Sequence, residues 1–575
     1  MSGVADKVQI DEVISGQNPE DWKAFTSDKN VSYVVDQQNG NYSNQVSWDL
    51  TSIVNQNAWM SLQESYILMP FSTTVTFGTA QTNPISSKFL CLKDNFINYV
   101  DSIQFFVNGQ QLIDQTTYSN FPLQVIDKLV MSQDDLSVKG SSLNIQPDTT
   151  TSVRFNNQAN SGGDGYRNNL VQVPYTAGAA TVSSTAPIVQ DTALVNQGST
   201  KRLLNTWDPT TIDAPPAMAS AASNLGAKIL APYFSSDGNT KKSGVWNYVV
   251  YLPLKRIADL LSKYPLVKGS QMRLVINFNA SIVPITIGAT TPATYQLTTN
   301  PTLTAGNTVT PLVSDSKLGL GYVSTGIPAV GIASTCTITT AIQTSTVAYA
   351  VNTTAAKGFG QLPNCRIYVP SYKVNPTYEE RMLSNRKQVI KYIDWYQQPI
   401  IGVAAGSSFS QTLTTALPNV NMLIMIPFQS GTTEVFTTAT CNTFQSPFDT
   451  APATSMPGGM LAFQNFNVSI SGQNVYNQNQ NYTFDNWAQE VQKLGVNGGL
   501  SREISSGLLG LNEWIYSPYV ITDISRREES ANNTYQSVVV NGTNNSSVKV
   551  DYYCFIGFQK EIEIDVLTGQ VNKLF

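Results

Sequence analysis

The amino-acid sequence predicts an all-β protein made of two similar β-sandwiches in tandem, with short helices inserted in their loops. Short apolar runs rich in Val, Ile, Tyr, Phe and Thr recur along the chain, separated by Asn, Gly, Pro and Ser. At 575 residues the chain is longer than a single hydrophobic core can serve, so we expect at least two domains. The third observation is an internal repeat, in which local features return in the same order.

The strand predictions rest on alternating or continuous apolar runs bounded by turn residues. They cover residues 31–35, 65–77, 102–107, 246–252, 273–278, 389–395, 421–427, 467–471 and 548–558. Helical periodicity is confined to 121–131, to 253–264 with Pro253 in the first turn, and to 485–494 with Asp485 as the N-cap.

Three features make up the repeat. A strand that ends in Asn-Gly at Gly109 is matched by one that ends in Ser-Gly at Gly472, and both dipeptides suit a two-residue hairpin turn. A Trp-led strand at Trp246 is echoed at Trp514, and a late strand at 272–278 is echoed at 550–556.

The repeat sets the expected domain boundaries. We expect an N-terminal arm (1–29), a first sandwich (30–285), an exposed insertion or linker rich in Thr, Ala and Gly (286–360), and a second sandwich (361–575).

The composition describes a surface that is polar but carries few charges. Charged residues make up 13% of the chain and hydrophobic residues 41%. Neutral amides and hydroxyls lose less on leaving water than ions do, so such a surface suits burial against a neighbour. The net charge of -5 and the lack of any Lys/Arg run indicate no direct nucleic-acid partner.

Cysteine usage and hydropathy indicate a reducing compartment and no membrane span. The 5 cysteines include no CxxC pair, which favours neither a disulfide framework nor a zinc site. Residues 1–28 lack an apolar core of signal-peptide length, and no stretch of the chain reaches membrane-spanning length.

The sequence contains no histidine, which removes His-based nucleophile systems, imidazole bases and His-containing metal sites. The adjacent pairs Asp134-Asp135, Glu379-Glu380 and Glu528-Glu529 do not make a catalytic dyad, because neighbours in sequence point to different sides of a strand or helix. No Gly-rich stretch has the pattern of a phosphate loop. We therefore expect no enzymatic activity, no cofactor and no metal.

Several segments resemble a known family. They are 33–42, 64–70, 250–261, 265–269 and 274–277 in the first half, and 366–376, 468–472, 519–527 and 561–569 in the second. In this order they are similar to the double jelly-roll major capsid proteins of virophages, polinton-like viruses and related large DNA viruses.

The resemblance implies an icosahedral virus shell in which three chains form a pseudo-hexagonal capsomer. Each sandwich would then be a jelly roll, and the partners would be further copies of the chain, penton proteins and minor capsid proteins. The expected location is the virion, assembled in the host cytoplasm or nucleus. The residues that we expect at the turns of the structural motifs, called motif positions below, are Gly109, Gly472, Pro253, Gly269 and Pro376.

Arg526 and Arg527, followed by two glutamates, are a candidate interface cluster, with a charged strand exit as the equal alternative.

Two other functions fit a β-sandwich. A carbohydrate-binding surface protein would use exposed Trp and Tyr, of which the chain has 8 and 26, although a large β core also accounts for them. A β-sandwich glycosidase would need two carboxylates brought together by the fold, and no such pair stands out in the sequence.

Overall fold

The structure of the protein is a computed structural model. The described residues are 26–39, 45–54, 58–81, 90–92, 96–132, 134–136, 138, 140, 233–237, 240–278, 282–287, 302–303, 312–314, 334–341, 364–429, 463–497, 514, 519–525, 533–546 and 549–574.

Strands dominate the described part of the chain. In the first half they are β1 (Thr26–Val35), β2 (Gln45–Asp49), β3 (Trp59–Met60), β4 (Tyr66–Gln81), β5 (Leu90–Leu92), β6 (Val100–Val107), β7 (Gln110–Ile113), β8 (Tyr233–Asp237), β9 (Thr240–Pro253), β10 (Met272–Phe278), β11 (Ile282–Ile287), β12 (Thr302–Leu303), β13 (Leu312–Ser314), β14 (Ser334–Ala341) and β15 (Arg366–Val374). In the second half they are β16 (Lys387–Val403), β17 (Ser408–Pro418), β18 (Val420–Gln429), β19 (Phe463–Ile470), β20 (Gln473–Asn474), β21 (Gln480–Tyr482), β22 (Val520–Asp523), β23 (Tyr535–Asn544), β24 (Val550–Asp565) and β25 (Val571–Lys573).

The helices among the described residues are short and lie between strands. They are α1 (Thr51–Val54), a 3₁₀ helix (Phe96–Tyr99), α2 (Asn120–Val130), α3 (Leu254–Ile257), α4 (Asp259–Lys263), α5 (Pro376–Ser384) and α6 (Phe484–Asn497).

Two sandwiches share one strand order. In the first, β1-β15-β4-β9 form one sheet and β2-β10-β6-β7 the other. In the second, the orders are β16-β24-β18-β22 and β17-β23-β19-β20. Numbering the eight strands of each unit in chain order gives 1-8-3-6 and 2-7-4-5 in both cases, which is the double Greek key of a jelly roll. The predicted fold class, two tandem jelly rolls with short helices in loops, is confirmed.

Each sandwich has its own hydrophobic core. Trp48, Ile67, Phe105, Leu274 and Ile367 belong to the first cluster of buried residues. The second contains, among others, Leu423, Val468, Val540, Cys554 and Ile556. Because successive strand side chains alternate between faces, one set of each strand fills the space between the two sheets.

The three predicted helical segments are helical, with different ends. The segment at 253–264 is split into α3 and α4, because Ala258 between them has an extended backbone (φ -155°, ψ 140°). Asp485 lies in the first turn of α6 instead of capping it. The hydroxyl of Thr483 and its backbone N–H donate to Asn486 Oδ1 at that helix start.

The structure differs from the predicted boundary at residue 361. β15, which was assigned to the second sandwich, pairs with β1 and β4 and closes the first one. By strand order the second jelly roll begins at β16, after α5. The alternating pattern of β15 predicts a strand but carries no information about which sheet it joins, since its partners lie about 300 residues or more earlier in the chain.

The predicted insertion also contributes to the first sandwich. β14 pairs with β4 and with β11, so part of 286–360 extends the first large sheet. The predicted arm overlaps β1, which begins at Thr26. Residues 1–25 of the arm lie outside the described residues.

In the third repeated feature, the two strands that the sequence suggested as counterparts do not occupy the same position in their rolls. β10 is the seventh strand of the first roll, and its positional counterpart is β23. β24 is an eighth strand and corresponds to β15. Apolar strands of similar composition cannot be told apart by pattern alone, so the repeat could be recognised without its exact alignment.

Candidate functional site

The matched hairpins have the same turn geometry. Asn108 and Gly109 have φ of 47° and 80°, and Ser471 and Gly472 have φ of 49° and 86°. Both turns join strands four and five of their jelly rolls, at the pairs Val107↔Gln110 and Ile470↔Gln473. Positive φ at both central positions is the geometry of a type I′ turn, which matches the twist of a hairpin.

The two proline motif positions occupy helix starts. Pro253 precedes the first residue of α3 with φ of -65°, and Pro376 is the first residue of α5. A fixed φ near this value suits a helix start. Arg526 and Arg527 lie outside the described residues.

The candidate functional site of this structure is the junction between the two jelly rolls. The long paired strands β16 and β24 run through both cores. Ile562 and Ile564 are buried in the first cluster, whereas Cys554 and Phe555 of the same strand are buried in the second. One continuous ladder therefore ties the rolls together, and a hinge between them would have to break it.

Helix α2 of the first roll covers the outer face of the second. Tyr552 points inward, since its ring lies 5.2 Å from that of Phe463 on the opposite sheet. Tyr553 and Phe555 therefore point outward. The ring of Phe121 on α2 lies 6.2 Å from Tyr553 and 6.1 Å from Phe555.

Side chains of the first roll also occupy the free edge of β16. The backbone N–H of Ile393 donates to Asp259 Oδ2 (2.9 Å), Lys263 Nζ donates to the carbonyl of Lys391 (3.1 Å), and Thr116 Oγ1 donates to that of Trp395 (2.6 Å). An edge strand offers unpaired backbone groups to any other strand. Here α4 and the loop after β7 satisfy them.

An ion-paired group of three side chains crosses the junction. Lys560 Nζ lies 2.5 Å from Asp394 Oδ2 and 2.7 Å from Asp114 Oδ2, and Asp114 belongs to the first roll. Burial raises the pKa of Asp394 above its ordinary value. Burial acts to lower the pKa of Lys560, but its two carboxylate partners hold that pKa above its ordinary value. The lysine therefore remains charged at neutral pH.

The turn after β24 clamps the two rolls at the other end of the ladder. Asp565 accepts hydrogen bonds from the backbone of Leu567 (3.0 Å) and from Arg386 Nε (2.8 Å). The backbone N–H of Lys268 then donates to the carbonyl of Val566 (2.8 Å), and Asn108 Nδ2 donates to that of Thr568 (3.0 Å). The motif hairpin of the first roll thus contacts the closing turn of the second.

Glu379, one of the adjacent carboxylates, has a structural role. Its Oε1 accepts from Lys268 Nζ (2.8 Å) and from Trp59 Nε1 (3.0 Å). The hydrogen bond from Lys268 lowers the pKa of Glu379. These contacts attach α5 to the first roll, so the carboxylate is occupied.

A small cavity lies at the junction. A cavity of about 30 Å³ is lined by Asp114, Thr116, Ile257, Tyr392 and Asp394, among others. That volume holds roughly one or two water molecules.

Within the described ranges no group of three or more His, Cys, Asp or Glu side chains is placed to hold a metal ion. The helices described in this structure are too short or too polar to cross a membrane.

The ion-paired group and the closing turn were not predicted from the sequence. Lys560 and Asp114 are 446 residues apart, and no local pattern links them. A signal for the turn existed, because Asp followed four residues later by Gly569 is typical turn chemistry.

The chain was compared with protein-family models, with curated proteins and with solved structures. No protein-family model matches the sequence, and none of the curated proteins matches it. Among solved structures, one of the Sputnik virophage matches over 96% of this chain and 88% of that chain, with 11% identity and a TM-score of 0.46. The mavirus major capsid protein matches over 94% and 89%, with 7% identity and a TM-score of 0.43. The Faustovirus major capsid protein matches over 93% and 90%, with 10% identity and a TM-score of 0.40.

Proposed function

We propose that the chain is the major capsid protein of an icosahedral double-stranded DNA virus, and that three copies form a pseudo-hexagonal capsomer. The observation that carries the proposal is the pair of jelly rolls with identical strand orders, joined by a ladder common to both cores. Each chain contains two equivalent jelly rolls, so a threefold assembly has six similar outer faces. A capsomer of this shape can pack in a hexagonal layer.

The composition supports the same role. Burying a surface with 13% charged residues against other copies costs less desolvation than burying an ordinary charged surface. A threefold ring uses heterologous contacts, which close and do not extend into fibres. Further copies, penton proteins and minor capsid proteins are the proposed partners, and the virion is the proposed location.

We also propose that the protein is not an enzyme. The sequence has no histidine, and Glu379 is engaged by Lys268 and Trp59. A subunit of a virus shell needs only a suitable shape and contacts with other copies of the chain.

Mass photometry and negative-stain electron microscopy of the purified chain test the proposal. We expect particles of about three times 62.6 kDa with threefold symmetry, and shells or sheets at higher concentration. A stable monomer of 62.6 kDa at micromolar concentration, without threefold particles, would contradict it.

A further inference from the structure

The outer face of the first roll carries a row of tyrosines, which we call the tyrosine face. It consists of Tyr33, Tyr66, Tyr251, Tyr368 and Tyr372. Tyr33 pairs with Tyr368 across β1 and β15, and Tyr368 pairs with Tyr66 across β15 and β4. Their neighbours Ile367 and Val369 point inward and are fully buried. Tyr33, Tyr66 and Tyr368 therefore point away from the core of their own roll, whereas Tyr372 is partly buried against it.

The corresponding face of the second roll is covered within the chain. β24 is the counterpart of β15, and α2 of the first roll packs on its outward side chains Tyr553 and Phe555. On the first roll, by contrast, Tyr33 and Val31 are each 53% exposed. One of two equivalent faces is thus covered in the monomer, while on the other the described residues Val31 and Tyr33 of β1 are exposed.

The helix of the second roll that corresponds to α2 is α6. It could cover the first roll of a neighbouring copy in the same way. It follows the hairpin β19-β20, as α2 follows the hairpin β6-β7. Helix α2 is buried on nearly every side, because it lies between both rolls. In α6, Trp487, Val491 and Leu494 are buried in the second core, whereas Asp485, Gln489 and Gln492 are exposed.

We propose that the tyrosine face binds the α6 side of the second roll of a neighbouring copy, repeating between subunits the contact that α2 makes within one chain. This inference rests on the proposed capsomer and names the two surfaces that contact each other in it. The two surfaces are chemically complementary. Arg366, 4.8 Å from the ring centroid of Tyr33, offers a cation to Asp485, and the hydroxyl of the exposed Tyr33 offers a donor to Gln489 or Gln492. Tyrosine and arginine are, with tryptophan, the residues most enriched among those that dominate binding energy in protein interfaces.

The ring geometry favours a protein partner over a sugar. The rings of Tyr66 and Tyr368 are stacked with centroids 5.0 Å apart and planes at 9°, and Tyr66 and Tyr251 are 4.4 Å apart. Rings stacked on one another turn edges and hydroxyls outward. A sugar platform needs exposed ring faces, which these neighbouring rings largely cover.

A charge placed on the face tests the proposal. Tyr33→Glu puts a carboxylate at an exposed position opposite Asp485 of the neighbour. We expect it to raise the apparent dissociation constant of the trimer about 30-fold or more, as for an interface hot spot. The matched control is Tyr535→Glu, on a residue that is 77% exposed at the start of β23. It should leave the trimer intact. Circular dichroism should show that both variants are folded.

Crosslinking locates the partner. The pair Tyr33→Cys and Gln489→Cys, treated with a short bismaleimide, should give covalent dimers and trimers of the chain. With Cys91, Cys336 and Cys441 replaced by serine in every variant, each single variant should give only uncrosslinked chains, because Cys365 and Cys554 are buried.

The outcomes are distinguishable. A wild-type trimer that Tyr33→Glu leaves unchanged, with no crosslink between positions 33 and 489, would overturn the inference and leave the proposed function standing. A wild-type monomer would remove both. Binding of wild-type protein to a glycan array that Tyr33→Glu abolishes would overturn it in favour of a sugar-binding face.

Discussion

Gly269 of the first jelly roll lies against the backbone of Leu567 in the second, so close that a Cβ on residue 269 would be 2.6 Å from the Leu567 carbonyl oxygen. Its φ of 79° is in the left-handed region as well. The position therefore requires glycine for two reasons. The motif residue Gly269 and the closing turn of β24 form one contact between the rolls.

Gly269→Ala should destabilise the protein by about 2–5 kcal/mol, from backbone strain together with displacement of the closing turn. Urea denaturation followed by tryptophan fluorescence measures the loss. Gly472→Ala is the matched control, because φ there is 86° and no atom lies within 4 Å of the added Cβ. Its cost should be about 1–2 kcal/mol, from strain alone. Equal losses in the two variants would show that the contact with Leu567 does not constrain the junction.

Asp565 should make the junction sensitive to acid. Burial acts to raise its pKa, but hydrogen bonds from Leu567, Arg386 and Thr568 hold that pKa below its ordinary value. Since the unfolded chain then binds the proton more readily, the stabilisation is fully present above about pH 4, the ordinary Asp pKa, and is lost as the pH falls through the lowered pKa.

Asp565→Asn should therefore lower stability by about 1.5–3 kcal/mol at pH 7 and by less near pH 3. Denaturation curves of the variant and the wild type at both pH values measure the difference. Glu380→Gln, on an exposed residue of α5, serves as the control and should change stability by less than about 0.5 kcal/mol at either pH. A loss that does not depend on pH would mean that the charge of Asp565 is not what holds the turn.

Sequence reasoning recovered those parts of this fold that depend on local chemistry. The turns at Gly109 and Gly472 were recognisable, because Asn-Gly and Ser-Gly favour positive φ. The partner of β15 was not, because its sheet is decided by packing with strands hundreds of residues away. The same holds for Lys560 with Asp114, and for the tyrosine face, whose members are single residues on separate strands.

Asn108 should contribute more to stability than its counterpart Ser471. Its side chain donates to the carbonyl of Thr568 and accepts from the backbone N–H of Gln271 (both 3.0 Å). Asn108→Ala removes both bonds and should cost about 2–3 kcal/mol, including the strain of alanine at positive φ. Ser471→Ala, at the same turn position, should cost at least about 1 kcal/mol less than Asn108→Ala. Chemical denaturation of the two variants at equal protein concentration provides the comparison, and similar costs would contradict a role for Asn108 in joining the rolls.

Lys560 should be the most costly charged residue of the junction to remove. Its partner Asp394 is buried, with 6% of its side chain exposed, so Lys560→Met leaves a buried carboxylate without its cation. Loss of one member of a buried pair typically costs about 3–5 kcal/mol. The double variant Lys560→Met/Asp394→Asn removes the unpaired charge. Its cost should be smaller than the sum of the costs of the single variants Lys560→Met and Asp394→Asn by about 1–3 kcal/mol.

Lys387→Met is the control, because Lys387 pairs with Glu563 at 3.2 Å while 62% of the lysine side chain is exposed. An exposed pair of this kind contributes about 0–1 kcal/mol. Urea denaturation of all four variants at one fixed concentration keeps the contribution of association constant. If Lys560→Met cost no more than Lys387→Met, the three-residue group would be incidental to the junction, and the rolls would be held by the shared ladder of β16 and β24 and by α2 alone.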